Sequence, residues 1–552
     1  MKKTVTFVLS LIASITSFSQ YTSDWKSRIG STLHDDCRGI VEHGNFLYVA
    51  GRIEGNSSFE IQSSNYVSVT SNGGEDIFVA KLDKAGNYIW VKNMGGSANE
   101  HSVNLDVDIN GNVYVTGYFE SSFDFDPSAN VTQLTPVGER DVFVAKFDEN
   151  GDLIWVKQMG GTLTEQSEGI SVVSDGVVIS GRYKGTFDAD PSTGVQNLTS
   201  AGSNDIFVVK LDVNGQYDWS KSYGSNGGDI SWGLATDSNE DIFVTGVIKN
   251  TVEFEQGNVA SSHTSLGNND GFVLKISSSG QYVWSKIFGG TGNDNPSNIE
   301  IDNNDNIYVA GFYESAVDFD PGNGVTNETS LGGRDAFILK LNSNGVYSWH
   351  KSLGGALDDK GKGMAFDQDN NVYLTGVFSD EVYYENDTII SNGDADCYVL
   401  ILDENGNKVE PVISYGSNME DWVNGLVVDA SKSLYLDGKF NSTMDVDPSQ
   451  TTDNLTVFGD IDGYIFKLKK PGVLGLYSKN NLEINVYPNP VNNVVNIEGL
   501  NDEKIELYSI NGQLLIEKGQ YNSTIIKLDV TDYPSGVYFL KVGSQTKKII
   551  KQ

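Results

Sequence analysis

The chain has 552 residues, 38% of them hydrophobic and 11% aromatic, and a formal net charge of −36. That length and apolar content exclude a single small domain and a disordered chain. An acidic excess of this size repels phosphate backbones and anionic lipid surfaces, so nucleic acid and membrane-surface partners are not expected.

The chain opens MKKTVTFVLSLIASITSFSQ, with Lys2 and Lys3, an apolar run and then small residues. This is the order of a secretory signal peptide, placed at residues 1–19. No other segment approaches the roughly 18 consecutive apolar residues of a membrane span, so no transmembrane segment is expected in the mature chain. A charge of −38 falls on residues 20–470. It suits a surface kept soluble outside the cell, and it also suits divalent-cation binding.

From there one unit recurs. The stretch DIFVAKLDKAGNYIW (76–90) opens on an aspartate that returns as Asp141, Asp205, Asp270, Asp335, Asp396 and Asp462, at steps of 65, 64, 65, 65, 61 and 66 residues. Seven copies at one period mean seven copies of one supersecondary unit. Each carries four strand signals: a half-apolar run such as SVNLDVD (102–108), an alternating run such as NVYVTG (112–117), then DIFVAKL and YIWVK. The joins at 83–86 and 108–112 read as hairpin turns with glycine where φ is positive. Each unit is therefore predicted to be an up-and-down four-stranded antiparallel sheet. Seven stacked radially make an all-β fold, a seven-bladed β-propeller over residues 20–470.

The ends of the array predict how it closes. Trp90, Trp155, Trp219, Trp284 and Trp349 mark the fourth strand, whereas the seventh unit ends at Leu468 without one. Trp25 lies 65 residues before Trp90 with no third strand ahead of it. The N-terminal strand is expected to pair with the 462–468 strand, which removes two exposed sheet edges. The sixth unit departs from the pattern, with 409–411 where tryptophan is due and Ile401 in place of lysine. Cys37 and Cys397, in the first and sixth units, are expected to be free, mostly buried thiols.

The in-phase motifs D-x-F-V-A-K-L-D, G-x-Y-x-W, G-G-x-x-x-D and G-N-V-Y-V-T-G resemble the bacterial seven-bladed β-propeller (SBBP) repeat family over roughly residues 20–470. The resemblance implies a fold and a surface location, and no common reaction.

After Lys470 the phase is lost, and 471–481 reads as a linker. Residues 482–552 carry short alternating strands and an N-G hairpin at Asn511 and Gly512, the pattern of a small immunoglobulin-like β-sandwich. Tyr487, Pro488, Asn489 and Pro490, then VVNIEG, LYSINGQLL, PSGVY (534–538) and a basic tail, resemble the type A C-terminal sorting domain of the type IX secretion system of Bacteroidetes. The resemblance implies recognition of 482–552 by the type IX machinery, then release or attachment at the cell surface.

Two acidic loops per unit are expected on one rim. One carries Asp35, Glu100, Glu165, Asp229, Asp294, Asp359 and Glu420 in phase. The other carries F-D-x-D-P or a relative: Asp124 with Asp126, Asp188 with Asp190, Glu253 with Glu255, Asp318 with Asp320 and Asp445 with Asp447. In an extended chain the two acids of a pair share one face, and paired hard oxygens suit Ca²⁺. The same aspartates also suit acceptance of backbone N–H groups in tight turns, a role that recurs in every unit as a structural task does. The segment 106–117 meets the opening of a calcium loop but has Gly117 where the bidentate glutamate belongs, and is read as a hairpin.

No H-E-x-x-H, G-x-S-x-G or phosphate loop occurs, and His34, His43, His101, His263 and His350 show no metal spacing. The chain therefore reads as a non-enzymatic exported binding, adhesion or scaffold protein with a glycan or protein ligand on its acidic rim. The alternative is a secreted polysaccharide hydrolase or lyase with carboxylates at the channel mouth. Non-repeated carboxylates about 5 to 10 Å apart in a pocket, one with a raised pKa, point to the enzyme. Equivalent acids spread around the ring point to the scaffold.

Overall fold

The computed structural model describes residues 21–61, 65–449, 451–470, 485–498, 504–509, 514–518, 525–542 and 545–552. The expected signal peptide, the linker and the hairpin at Asn511 and Gly512 lie outside them. The chain divides into two units, Met1–Pro471 and Gly472–Gln552.

In the first unit the alternating β-branched and aromatic runs form four-stranded antiparallel meanders. Seven are present among the described residues. The first is Asp36–His43, Phe46–Ile61, Asn65–Asp83 and Tyr88–Met94. The same order recurs down to the sixth, Lys360–Phe366, Val372–Phe378, Asp396–Leu402 and Ile413–Tyr415. The seventh takes Trp422–Val428, Leu434–Phe440 and Asp462–Lys469 from one end of the chain and Thr22–Gly30 from the other. Thr22 stands opposite Lys469 and Ile29 opposite Gly463, which is the pairing expected from Trp25. First strands neighbour one another in chain order, and Trp422–Val428 lies beside Asp36–His43.

The turn sequence explains how adjacent meanders are fastened. In the join after the third strand, Asp83 accepts the N–H groups of Ala85 and Asn87, both at 2.9 Å, while Gly86 takes φ +86°. Without a Cβ, that glycine lets the Trp25 ring of the neighbouring meander lie on the turn, and Trp25 Nε1 donates to the Lys84 carbonyl at 3.0 Å. Trp90 meets Gly151, Trp155 meets Gly215 and Trp349 meets Gly406 in the same way, each indole donating to a turn carbonyl at 3.1 Å. The third-strand lysine reaches the same turn: Lys81 donates to the Glu149 carbonyl (3.1 Å) and Lys340 to that of Glu404 (2.9 Å).

This fastening accounts for the irregular sixth repeat. Its tryptophan and lysine would have to meet a turn between strands three and four of the seventh meander. Those strands come from opposite ends of the chain, so no such turn exists. Residues 409–411 and Ile401 are therefore free to differ.

Burial follows the interfaces between meanders. Val423, Leu434 and Phe466 of the seventh pack with Tyr373, Val399 and Ile413 of the sixth in one cluster. Each such side chain contributes roughly 1.5–3 kcal/mol. Cys37 and Cys397 are free and fully buried, as expected. The segment 106–117 is a hairpin, with Asp108 accepting from Asn110 (2.9 Å) and Asn112 (3.0 Å).

In the second unit, Asn485–Tyr487, Val494–Glu498 and Ile525–Asp529 form one sheet. Leu514–Lys518, Ile505–Ser509, Gly536–Val542 and Gln545–Lys551 form another. Val495, Ile497, Leu528, Leu507 and Leu540 from both sheets share one buried cluster. Asn489 of the Y-P-N-P stretch clamps the last strand, donating to the Lys548 carbonyl (2.7 Å) and accepting from the Ile550 N–H (2.8 Å). Among the described residues no helix is long and apolar enough to cross a membrane.

Candidate functional site

The aspartates of the F-D-x-D-P loops are committed to backbone. Asp124 accepts the N–H groups of Asp126 (3.1 Å) and Thr132 (2.6 Å), and Asp188 those of Asp190 (3.1 Å) and Gln196 (2.8 Å). Asp318 accepts from Asp320 (3.1 Å) and Thr326 (2.8 Å), and Asp445 from Asp447 (3.1 Å) and Asp453 (2.9 Å). Asp126, Asp190, Asp320 and Asp447 accept in turn from the N–H groups of Ser128, Ser192, Gly322 and Ser449. Burial alternates at each pair, with Phe125, Ala189, Phe319 and Val446 buried between the half-buried acids, while each side chain bonds two residues ahead. Among the described residues no group of three or more His, Cys, Asp or Glu is placed to hold a metal ion.

The other acidic set lies inside. Asp35, Glu100, Glu165, Asp229, Asp294 and Asp359 are fully buried, so they do not form an acidic rim. The seventh member is Asp421 and not the exposed Glu420. The reason is spacing: each acid accepts the N–H four residues before it, Gly96 for Glu100 (2.9 Å), Gly355 for Asp359 (2.8 Å) and Ser417 for Asp421 (2.5 Å). The preceding glycine seats the third-strand aspartate. A Cβ at Gly95, Gly160 or Gly354 would overlap the carboxyl of Asp76, Asp141 or Asp335. Burial first, and then the neighbouring carboxylate, pushes Glu100, Asp294, Asp359 and Asp421 up to about 7.

The site that does not repeat is axial. A cavity of about 670 Å³ is lined by the first strands of all seven meanders. Each first strand carries a β-bulge near its start, between Cys37 and Gly39, Ser102 and Asn104, Ser167 and Gly169, Ser231 and Gly233, Pro296 and Asn298, Gly361 and Met364, and Val423 and Gly425. A bulge leaves a residue unpaired and re-aims it. The residues so placed are Arg38, Val103, Glu168, Trp232, Ser297, Lys362 and Asn424, and every one lines the cavity. The position repeats and the chemistry does not. Beyond this layer the cavity is walled by small residues such as Gly39 and Gly233, then by an apolar belt that includes Ile40, Leu105, Leu234 and Met364.

The bulge end of the cavity is cationic. Arg38, Arg52, Arg182, Lys360, Lys362 and Lys439 stand there against Asp36, Glu75 and Glu168. On the side of the first three repeats the charges are paired. Arg52 bridges Asp36 (3.0 Å) and Glu75 (2.6 Å), Arg38 reaches Asp36 (3.0 Å), and Arg182 meets Glu168 at 3.5 Å. On the other side, the ammonium groups of Lys360, Lys362 and Lys439 lie 5.2, 5.2 and 5.7 Å from the centre of the Trp422 ring. None of the three forms an ion pair with a carboxylate among the described residues. Burial, then the charges of Lys360, Arg38 and Lys439, lowers Lys362 to about 8. The Trp232 Nε1 and Asn298 Oδ1 atoms, both on this cavity, are buried without a hydrogen-bond partner.

The far end is acidic. Asp106 and Glu300 line it, and Asp106 accepts the Val172 N–H at 2.7 Å. Glu300 presents its edge to the cavity but lies deep in the ring, and that burial, with Asp106 nearby, pushes it up to about 8.

None of these axial residues was singled out as a site from sequence. A signal was there: of eight tryptophans, six hold the fourth-strand phase, and the remaining two, Trp232 and Trp422, both stand at this mouth.

Residues 485–552 match the family described as secretion system C-terminal sorting domain, and residues 283–311 and 348–377 match the β-propeller repeat. An uncharacterized WD repeat-containing protein of Acanthamoeba polyphaga mimivirus is 21% identical over 537 residues, covering 80% of this chain and 38% of its own length. Regulatory protein FlaEY of Caulobacter vibrioides is 23% identical over 382 residues, covering 64% of this chain and 37% of its own length. The chain thus spans well under half the length of these curated relatives. The WD40 domain of Neurospora crassa Pan2 covers 68% of this chain and 91% of its own, with 11% identity and a TM-score of 0.33. The chain carries β-propeller repeats of the SBBP family and ends in a secretion-system C-terminal sorting domain.

Proposed function

We propose that the chain is a seven-bladed β-propeller exported by the type IX machinery to work at or beyond the cell surface as a binding or adhesion module. The seven meanders are its blades and the C-terminal unit is an immunoglobulin-like sandwich read by the secretion apparatus. Its ligand enters at the cationic axial mouth and not on the acidic outer loops. The observation that carries this reading is the bulge layer, where one structural position holds seven different residues. A structural task recurs identically in every repeat, whereas recognition of one ligand needs differing groups converging on one place. Two experiments test the two halves. Deleting residues 482–552 is expected to hold the protein inside the outer membrane. Screening the purified mature chain on glycan and protein arrays is expected to yield a ligand whose binding Trp232→Ala and Lys362→Gln reduce.

A second reading is a polysaccharide hydrolase or lyase. It is favoured by Asp106 and Glu300, which hold one first-strand position in the second and fifth repeats and not in the other five, both on the same cavity and one held protonated near neutrality. Product release from a polysaccharide that binds at the mouth, abolished by Glu300→Gln, would establish it.

A further inference from the structure

We infer that the axial mouth takes an anionic saccharide, with its acidic group set among Lys360, Lys362 and Lys439 and its hydroxyls met by Trp232 and Asn298. This inference rests on the axial-mouth reading above and names the ligand class for it.

The chain has 74 carboxylate residues and 38 lysines and arginines, so a lysine has many acids to pair with. The fold nevertheless gathers three lysine ammoniums within 6 Å of one indole ring and gives none of them an ion pair among the described residues. Like charges held together in a partly buried site repel, and the quadrupole of one ring offsets only about 1 kcal/mol of that. An anion lying among the three would relieve the repulsion and form charge-assisted hydrogen bonds. The paired side of the mouth shows the contrast: Asp36 and Glu75 already hold Arg38 and Arg52, while Glu168 stands 3.5 Å from Arg182.

The neutral groups select what the anion is attached to. Trp232 Nε1 is an unpartnered buried donor and Asn298 Oδ1 an unpartnered buried acceptor. Burying either without a partner costs about 1–3 kcal/mol, so a bound hydroxyl, which both donates and accepts, satisfies the pair. Trp232, Asn298, Lys360 with Lys362, and Trp422 with Lys439 belong to the fourth, fifth, sixth and seventh repeats, which are consecutive around the axis. The unpartnered groups thus form one continuous arc. A cavity of about 670 Å³ behind them admits a sugar ring or two and excludes a folded peptide segment.

The test is calorimetric titration of the mature full-length protein with tetragalacturonate, a sulfated tetrasaccharide, cellotetraose and sodium sulfate, at low and high salt. Binding of either acidic tetrasaccharide, weakened by salt and by about tenfold for each of Lys360→Gln, Lys362→Gln and Lys439→Gln, is the expected result. Which of the two binds tells carboxylate from sulfate. Cellotetraose binding as tightly, with the lysine variants unchanged and Trp232→Ala defective, overturns the anion while leaving the axial mouth in place. Sulfate binding as tightly as either tetrasaccharide overturns the saccharide. No binding of any probe, with parent and variants melting alike, overturns both the inference and the axial reading.

Discussion

Truncating Trp25 should loosen the seam where the two ends of the chain meet. Its indole is only 4% exposed, lies on the Gly86 turn, donates to the Lys84 carbonyl at 3.0 Å and stands 6.1 Å from the Tyr435 ring. Removing a buried indole costs about 3–5 kcal/mol. The freed carbonyl belongs to a surface turn that water can reach, so it adds little. The seam strand Thr22–Gly30 is held to Asp462–Lys469 by hydrogen bonds, packing and the ion pairs of Asp24 with Lys467 and Lys469, with no turn joining them. Loss of the anchor therefore falls on closure, whereas Trp349, with the equivalent contacts to Gly406 and Glu404, is half-buried and sits in a covalently continuous meander. Urea unfolding is expected to show Trp25→Ala destabilised by about 3–5 kcal/mol and Trp349→Ala by less. Amide exchange should rise together in 22–30 and 462–469 in the first variant only. A Trp25→Ala protein within about 1 kcal/mol of the parent, with 462–469 still protected, would refute the seam.

Other expectations follow from the same contacts. Gly160→Ala should cost about 2–4 kcal/mol, because its Cβ would overlap the buried Asp141 carboxyl, while Gly44→Ala meets no atom and loses only its favoured positive φ, a smaller effect. Glu100, Asp294, Asp359 and Asp421 titrate near 7 when folded and near 4 when unfolded, so the folded chain holds extra protons between those values. Stability should therefore fall as pH rises from 5 to 8, by roughly 1–3 kcal/mol for one such group, and Asp359→Asn should flatten the slope in thermal melts. A stability that climbs over that range would contradict the burial of these acids. Melts in calcium and in chelator should coincide if Asp124, Asp188, Asp318 and Asp445 serve their turns, and Asp188→Ala should cost about 1 kcal/mol in either buffer. A large calcium-dependent rise would return those pairs to metal binding. Cys37 and Cys397 should react with a thiol reagent only on unfolding, as their burial predicts.

Much of the fold was legible because its determinants are local and repeat. The D-x-x-G turns, the alternating second strand and the tryptophan phase each recur at one period, so even the missing seventh fourth strand pointed to Trp25. The irregular residues at 401 and 409–411 were visible but unexplained, since their cause is the absence of a turn in a different part of the chain. The repeated acids were legible as a pattern, and so was the turn bonding of the F-D-x-D-P pairs, whereas the burial of the set from Asp35 to Asp359 was not. Whether a carboxylate faces solvent or caps an N–H four residues back depends on loop geometry, and a one-residue offset separates exposed Glu420 from buried Asp421. The axial groups were hidden for the opposite reason. A bulge has no sequence period of its own, and Arg38, Trp232, Lys362 and Trp422 converge only when repeats far apart in sequence are brought round one axis.

If ligand recognition lies at the axial mouth, a crystal structure of the mature protein grown with the acidic tetrasaccharide will show it. Density is expected at the bulge layer, with an acidic group among the Lys360, Lys362 and Lys439 ammoniums and a hydroxyl at Trp232 Nε1. Density on the outer loops at Asp188 and Asp190, with the axial cavity unchanged, would contradict it.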